Sequence, residues 1–225
     1  MLKFWGEHPW HWLSGVDPST TSVPWQDGRV YEKGVPLIWT TDEKDAREPI
    51  KPFPMDKPYL KCIVDELYTH KFLMVEKCRQ MMMSWTALLV IDWECRFRPN
   101  RRWLLSKTTE EEGIIMLEEK VRAIQDRLPE WVQTALPQST KPQHIVKYGS
   151  TKSTFRAVTT NAAARACRGG TASGVFVDEA PVQETFNEIV VASLPMTGRL
   201  WCVGTPMTGN PGAAAYKMYL SEGRV

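Results

Sequence analysis

Two adjacent carboxylates that close an apolar run are the first residues able to do chemistry. Gly174-Val-Phe-Val-Asp178-Glu179-Ala180 carries β-forming residues straight into two acids. A buried strand ending this way sets both at the rim of a sheet. There one can hold Mg²⁺ through water and the next can polarise an attacking water. A strand followed by a solvated turn has the same pattern, so the acids alone do not decide.

A second candidate is Val75-Glu-Lys77-Cys78-Arg79-Gln80-Met81-Met82-Met83-Ser84-Trp85, between an apolar run and a helical pattern. The standard phosphate loop at such a junction reads GxxxxGK[ST]. Ser84 falls in the hydroxyl slot at a helix start, where free N–H groups can receive phosphate oxygens and the hydroxyl can reach Mg²⁺. The glycine slots hold Lys77 and Met82, and the lysine slot holds Met83, which cannot neutralise a phosphate. Lys77 stands seven residues before Ser84, at the other end of the same loop. A loop wrapped round a phosphate brings its ends together, so Lys77 can supply the missing charge and Arg79 a second one. A basic turn ahead of a methionine-rich core helix is the competing account. Third, Leu200-Trp-Cys-Val-Gly204-Thr205-Pro206 is another apolar run ending in a polar turn, with Gly204 26 residues after Asp178. In motor ATPases such a turn senses the γ-phosphate; a plain turn explains it equally.

Alternating strands and helices must position these residues. Periodicity predicts helices over Tyr59–Tyr68, Ser84–Phe97, Thr109–Leu128, Glu184–Leu194 and Ala213–Leu220, the third with a capping box from Thr109 to Glu112. Strands are expected at Phe72–Val75 (buried), Trp103–Leu105, Gly174–Val177 and Leu200–Val203, with a hairpin joining Ile145–Tyr148 to Thr154–Val158. Pro129 to Gln143 reads as a connection. This order predicts an α/β fold of three layers with a mostly parallel central sheet, whose ligands sit at the carboxyl ends of the strands. Residues 1–50 are rich in proline and tryptophan, and the pattern stays weak for helix and strand up to residue 58. An extended arm packing aromatic anchors onto the core is expected over 1–50, with the α/β domain over 51–225.

The 225 residues suffice for one sizeable domain plus an arm. A net charge of +2 makes any nucleic-acid contact a matter of a local patch. Candidates are Arg96, Arg98, Arg101 and Arg102, though a solvated helix end accounts for them as well. Five scattered cysteines without a CxxC pair speak against a disulfide framework or a zinc site. No apolar run reaches membrane-span length.

Taken together, loop, acidic strand end and Gly-Thr-Pro turn resemble the phage terminase large subunits, over roughly residues 50–210. Arg79-Gln80-Met81-Met82-Met83-Ser84 follows the family's "RQxGKT", and Lys77 with Ser84 matches the branch whose lysine opens the loop. Pro58-Tyr59-Leu60 is similar to its adenine-side "PYQ", with Leu60 for the glutamine. Arg127-Leu128-Pro129-Glu130-Trp131 is similar to "LPxW". Tyr148-Gly149-Ser150, Cys167-Arg168-Gly169-Gly170 and Val177-Asp178-Glu179-Ala180 follow its "nGS…RG…vDEa".

The resemblance implies a P-loop NTPase of the additional-strand catalytic-glutamate type, hydrolysing ATP with Mg²⁺ to drive double-stranded DNA into a procapsid. By position, Lys77 and Arg79 bind phosphates within the loop Lys77–Trp85. Ser84 and Asp178 hold Mg²⁺, and Glu179 orients the attacking water. Thr205 couples hydrolysis to movement. Tyr59 and Phe53 stack on adenine. Arg168 acts as an arginine finger on the neighbouring subunit's ATP, with Arg165 and Arg156 as competitors. Implied partners are portal protein and small terminase subunit. The implied assembly is a homo-oligomeric ring, pentameric by the family's pattern, on the procapsid in the infected host's cytoplasm, outside the finished virion. The family's nuclease domain is expected to be missing, because the chain stops 20 residues after Thr205 without a second acidic cluster. Two rivals remain: a helicase-like nucleic-acid-dependent ATPase, and a non-hydrolysing DNA-binding assembly module with a decayed loop.

Overall fold

The computed structural model describes residues 2–15, 37–42, 45–78, 81–159, 162–163, 171–183, 185–195 and 197–205. The N-terminal residues depart from the expected extended arm. They form two short helices, α1 (Leu2–Glu7) and α2 (Pro9–Ser14). The His8 ring accepts the Trp10 N–H at 3.2 Å, and Pro9 occupies the first helical position, where its missing N–H costs nothing. Trp5, Trp10, Trp12 and Leu13 sink into the main core, and the Trp93 indole donates to the Trp5 carbonyl at 2.8 Å. Aromatic burial thus overrides weak helix propensity. A small antiparallel ladder follows, β1 (Trp39–Thr41) with β2 (Ile50–Pro52), and it spans the residue at which the arm was expected to end.

The remaining elements alternate. Helix α3 (Pro58–Thr69) leads to β3 (Phe72–Glu76), α4 (Met83–Phe97) and β4 (Arg102–Lys107). A continuous helical path then runs through α5 (Glu110–Met116), a π-helical stretch (Leu117–Arg122) and α6 (Ala123–Arg127). The Thr109 hydroxyl accepts the Glu112 N–H at 3.2 Å, as the capping box predicts. The Pro129–Gln143 connection contains a further helix, α7 (Glu130–Ala135). After the hairpin β5 (Ile145–Tyr148) and β6 (Ser153–Thr159) come β7 (Gly174–Asp178), α8 (Phe186–Ser193) and β8 (Leu200–Gly204). The expected helix Ala213–Leu220 lies outside the described residues.

The six strands order as β3-β8-β7-β4-β6-β5, all parallel except β5 at one edge. Strands β7 and β8 are buried along their whole length, as central parallel strands must be. β3 is the opposite edge, and its Phe72 is exposed, so the expected burial of that strand is only partial. Gly174 lies under the Trp103 ring, where an added Cβ would stand 2.4 Å from ring carbons. The mostly parallel sheet brings Glu76, Asp178, Lys107 and Gly204 to one edge.

Candidate functional site

The first buried turn of α4 faces the ends of β7 and β4. The Ser84 hydroxyl donates to Asp178 Oδ1 at 2.7 Å, and the Lys107 ammonium donates to Asp178 Oδ2 at 3.0 Å. Asp178 is 4% exposed and Lys107 16%. One carboxylate therefore ties three elements together. Behind it, Gln183 acts as a strap. Its amide donates to the Asp178 carbonyl at 2.6 Å and to the Ser106 carbonyl at 3.2 Å, while its oxygen accepts the Ser106 hydroxyl at 3.1 Å. These bonds hold the ends of β4 and β7 abreast.

The loop before α4 keeps the backbone of a glycine without the glycine. Met82 has φ 56° and ψ 14°, left-handed, at the slot where the standard loop carries its second glycine. That conformation costs a non-glycine residue about 1 kcal/mol or more, so it persists because the chain turning into α4 requires it. Met83, in the lysine slot, is 3% exposed and belongs to the main core. Glu179 is also left-handed, with φ 55° and ψ 41°, which turns the chain sharply after Asp178 into a short 3₁₀ turn, Ala180–Val182.

Gly204 links the three loops. Its carbonyl accepts the Lys77 N–H at 3.0 Å, and its Cα lies so near Pro181 that an added Cβ would stand 2.1 Å from that ring. Gly204, the residue before Thr205, is thus in contact with both the Lys77 loop and the turn that follows Glu179.

Lys77, Met81, Met82, Met83, Ser84, Trp85, Asp178 and Glu179 all line one cleft of about 880 Å³. Its far walls are the β1–β2 ladder and the α5–π helical path, including Met116 and Lys120. Lys120 lies over the Trp85 ring at 5.3 Å. On the ladder side Lys51 bonds Asp45 at 2.7 Å, and this with the N–H groups of Glu48 and Arg47 pulls the Asp45 carboxyl down to about 2. Cys78 is exposed beside the loop. Phe53 is 2% exposed in the core and Tyr59 packs against it; neither ring lines the cleft, so in this conformation neither is presented to a base. Arg79, Gln80, Arg165 and Arg168 lie outside the described residues, and Arg156 is exposed on β6.

Of the basic candidates for DNA contact, Arg96 is corrected outright. It is 0% exposed and ion-paired with Asp92 at 2.6 Å, because three polar partners deep in the core take up its charge. Arg98 lies over the Trp93 ring and Arg101 pairs with Glu94. Arg102 begins β4 and Lys107 ends it, so that cluster sits at the opposite edge of the sheet from the cleft.

Sequence reasoning missed Lys107 and Gln183. A signal for Lys107 was present, since Trp103-Leu-Leu-Ser-Lys107 is an apolar run ending in a charge, as β7 is. Nothing in the local pattern marks Gln183.

The donors suit a hard divalent cation. A carboxylate and a hydroxyl converge beside the Lys107 ammonium. Among the described residues no cluster of three or more His, Cys, Asp or Glu could hold a metal. No described helix is long and apolar enough to cross a membrane.

No family model matches the sequence, and no curated protein does. Solved structures do. The HK97 bacteriophage large terminase superposes with a TM-score of 0.56 at 11% identity, over 75% of this chain and 37% of that one. The ATPase domain of the Thermus phage P74-26 large terminase gives 0.51 at 20% identity, over 68% of this chain and 65% of that one. An arginine-to-alanine variant of that domain gives 0.54 at 20% identity, over 72% and 68%. The chain thus spans a little over a third of the whole terminase and about two thirds of the isolated domain. At these identities the likeness is one of fold.

Proposed function

We propose that this chain, whose fold is that of phage large-terminase ATPase domains, is the ATP-hydrolysing motor domain of such a terminase and drives double-stranded DNA into a procapsid. The observation that carries the reading is the convergence of Ser84 and Asp178 at the N-terminus of α4, at the carboxyl edge of the sheet. A helix N-terminus supplies oriented N–H groups and a partial positive charge for phosphate. Lys77 and Arg79 add charge from the loop. Ser84 and Asp178 would hold Mg²⁺, which when bound draws charge from the phosphate oxygens. Glu179, one residue past Asp178 and set at an angle by its left-handed backbone, orients the attacking water. The Gly204–Thr205 turn touches both the phosphate loop and the Glu179 turn, which suits it to pass on the loss of the γ-phosphate. Arg168 acts on the ATP of a neighbouring subunit in a homo-oligomeric, pentameric ring. Portal protein, small terminase subunit and DNA are the partners. DNA is gripped through its phosphates.

Mg²⁺-dependent ATP hydrolysis, measured across protein concentration, tests this. Wild type is expected to turn over ATP more than linearly with concentration. Lys77→Ala and Glu179→Ala should each lose about 100-fold or more. Absence of hydrolysis at every concentration would favour the non-hydrolysing module, and activity surviving Glu179→Ala would sink the assignment of the base. Turnover that is first-order in protein and indifferent to Arg168→Ala would remove the finger acting between subunits.

A further inference from the structure

Met83 leaves the phosphate loop without the lysine of its standard form, and that side chain is buried at the cleft wall. Lys77 is one replacement. The fold offers a second from outside the loop. β4 lies beside β7 with Ser106 opposite Val177, so Lys107 and Asp178 end their strands abreast. Lys107 places its ammonium 3.0 Å from Asp178 Oδ2, on the carboxylate whose other oxygen takes the Ser84 hydroxyl. Lys107 also lines the same cleft as Lys77 and Ser84. Of the other cleft cations, Lys51 is engaged with Asp42 and Asp45, and Lys120 lies over Trp85.

We propose that Lys107 is the phosphate-directed cation that the loop lacks at Met83, held on Asp178 as a stand-in for the metal until nucleotide and Mg²⁺ arrive. This rests on the nucleotide site described above. A lysine this enclosed needs an anion beside it. In the structure Asp178 is that anion. A divalent cation competes for the same carboxylate, and the ammonium it displaces keeps a flexible four-carbon stem and three donors. The anion then within the cleft is the nucleotide's phosphate. The exchange moves one charge from a carboxylate to a phosphate.

The probes are ATPγS binding by calorimetry, in Mg²⁺ and in EDTA, and the melting temperature of the nucleotide-free protein with and without Mg²⁺. The proteins are wild type, Lys107→Met, Lys107→Gln and Lys107→Arg. Lys107→Gln keeps a hydrogen bond to Asp178 without the charge, and serves if Lys107→Met folds poorly. Both neutral variants should bind ATPγS about 10- to 100-fold more weakly in Mg²⁺, with a smaller loss in EDTA, where Lys107 stays on Asp178. Lys107→Arg should stay within a few-fold of wild type. Mg²⁺ alone should raise the melting temperature of Lys107→Gln more than that of wild type, because the carboxylate no longer carries its own counter-ion. Wild-type ATPγS affinity in Mg²⁺ for Lys107→Gln would overturn the inference, as would an equal Mg²⁺ response in variant and wild type. If wild type itself does not bind ATPγS, the nucleotide site falls instead.

Discussion

Two buried aspartates divide the labour of this domain. Asp92 sits in the middle of α4 and Asp178 at the end of β7, and each is paired with a cation. Asp92 accepts from Arg96 at 2.6 Å, Gln138 at 2.8 Å and Tyr148 at 2.9 Å, with the Arg96 guanidinium against the Trp12 and Tyr148 rings. Aspartate and arginine side chains are both fully buried. Asp178 accepts from Ser84 and Lys107, and opens onto a cleft. Burial is nearly the same, so it does not separate structure from site. The distinction lies in what else could take each partner's place. Around Asp92 every donor is fixed by α4, β5 or the chain leading to it, and nothing can enter. Around Asp178 the donors come from two elements at a cleft wall, where another cation can enter.

The largest effect that could break this contrast is expected at Asp92. Asp92→Asn leaves Arg96 as a buried charge without a counter-ion, which costs about 3–5 kcal/mol. For a chain of this size that lowers the thermal midpoint by roughly 6–20 °C. ATP hydrolysis per folded molecule, measured well below the midpoint, should stay near wild type. Loss of turnover at unchanged stability would make Asp92 part of the site.

Asp178→Asn should do the reverse. Hydrolysis is expected to fall by about 100-fold or more. The nucleotide-free midpoint should move by only about 3 °C, because Ser84 keeps a partner and Lys107 can turn into the cleft. A midpoint drop as deep as that of Asp92→Asn would show that the carboxylate is mainly a structural tie.

The smallest effect concerns Tyr148. Its phenol is pushed well above the usual tyrosine value, by burial first and by the neighbouring Asp92 second. The folded state therefore holds this proton more tightly than the unfolded chain does. That stability is fully present below the ordinary tyrosine pKa of about 10 and is lost as pH rises through the folded value. Tyr148→Phe should cost about 1 kcal/mol at neutral pH and flatten the alkaline loss of stability. Part of the slope will remain, because burial also pushes the Cys95 thiol up. An unchanged alkaline slope in Tyr148→Phe denaturation curves would remove Tyr148 from the account.

Most of the sheet and both halves of the Ser84–Asp178 pair were legible in the sequence. Apolar runs of strand length alternate with helical periods, and a run that ends in Asp or in a hydroxyl-bearing helix start marks the sheet's carboxyl edge. The helices α1, α2 and α7 were not legible, because tryptophan burial and the packing of residues after Pro129 outweigh local preference. Nor was the fate of Arg96. A charged residue in the last turn of a helix looks solvated, and only packing from α2, β5 and the helical path after β4 encloses it.

The sequence by itself determined the order of elements, the acids at the end of β7 and the methionines that precede Ser84. These follow from residue type and spacing along one strand or one helix. The tertiary structure alone decided which cation sits on Asp178. Lys107 lies 71 residues from Asp178 along the chain, and only the parallel pairing of β4 with β7 brings the ammonium onto the carboxylate. Charge acts through space over a few ångströms, so the partner of a buried acid is set by strand order rather than by the residues beside it in the chain.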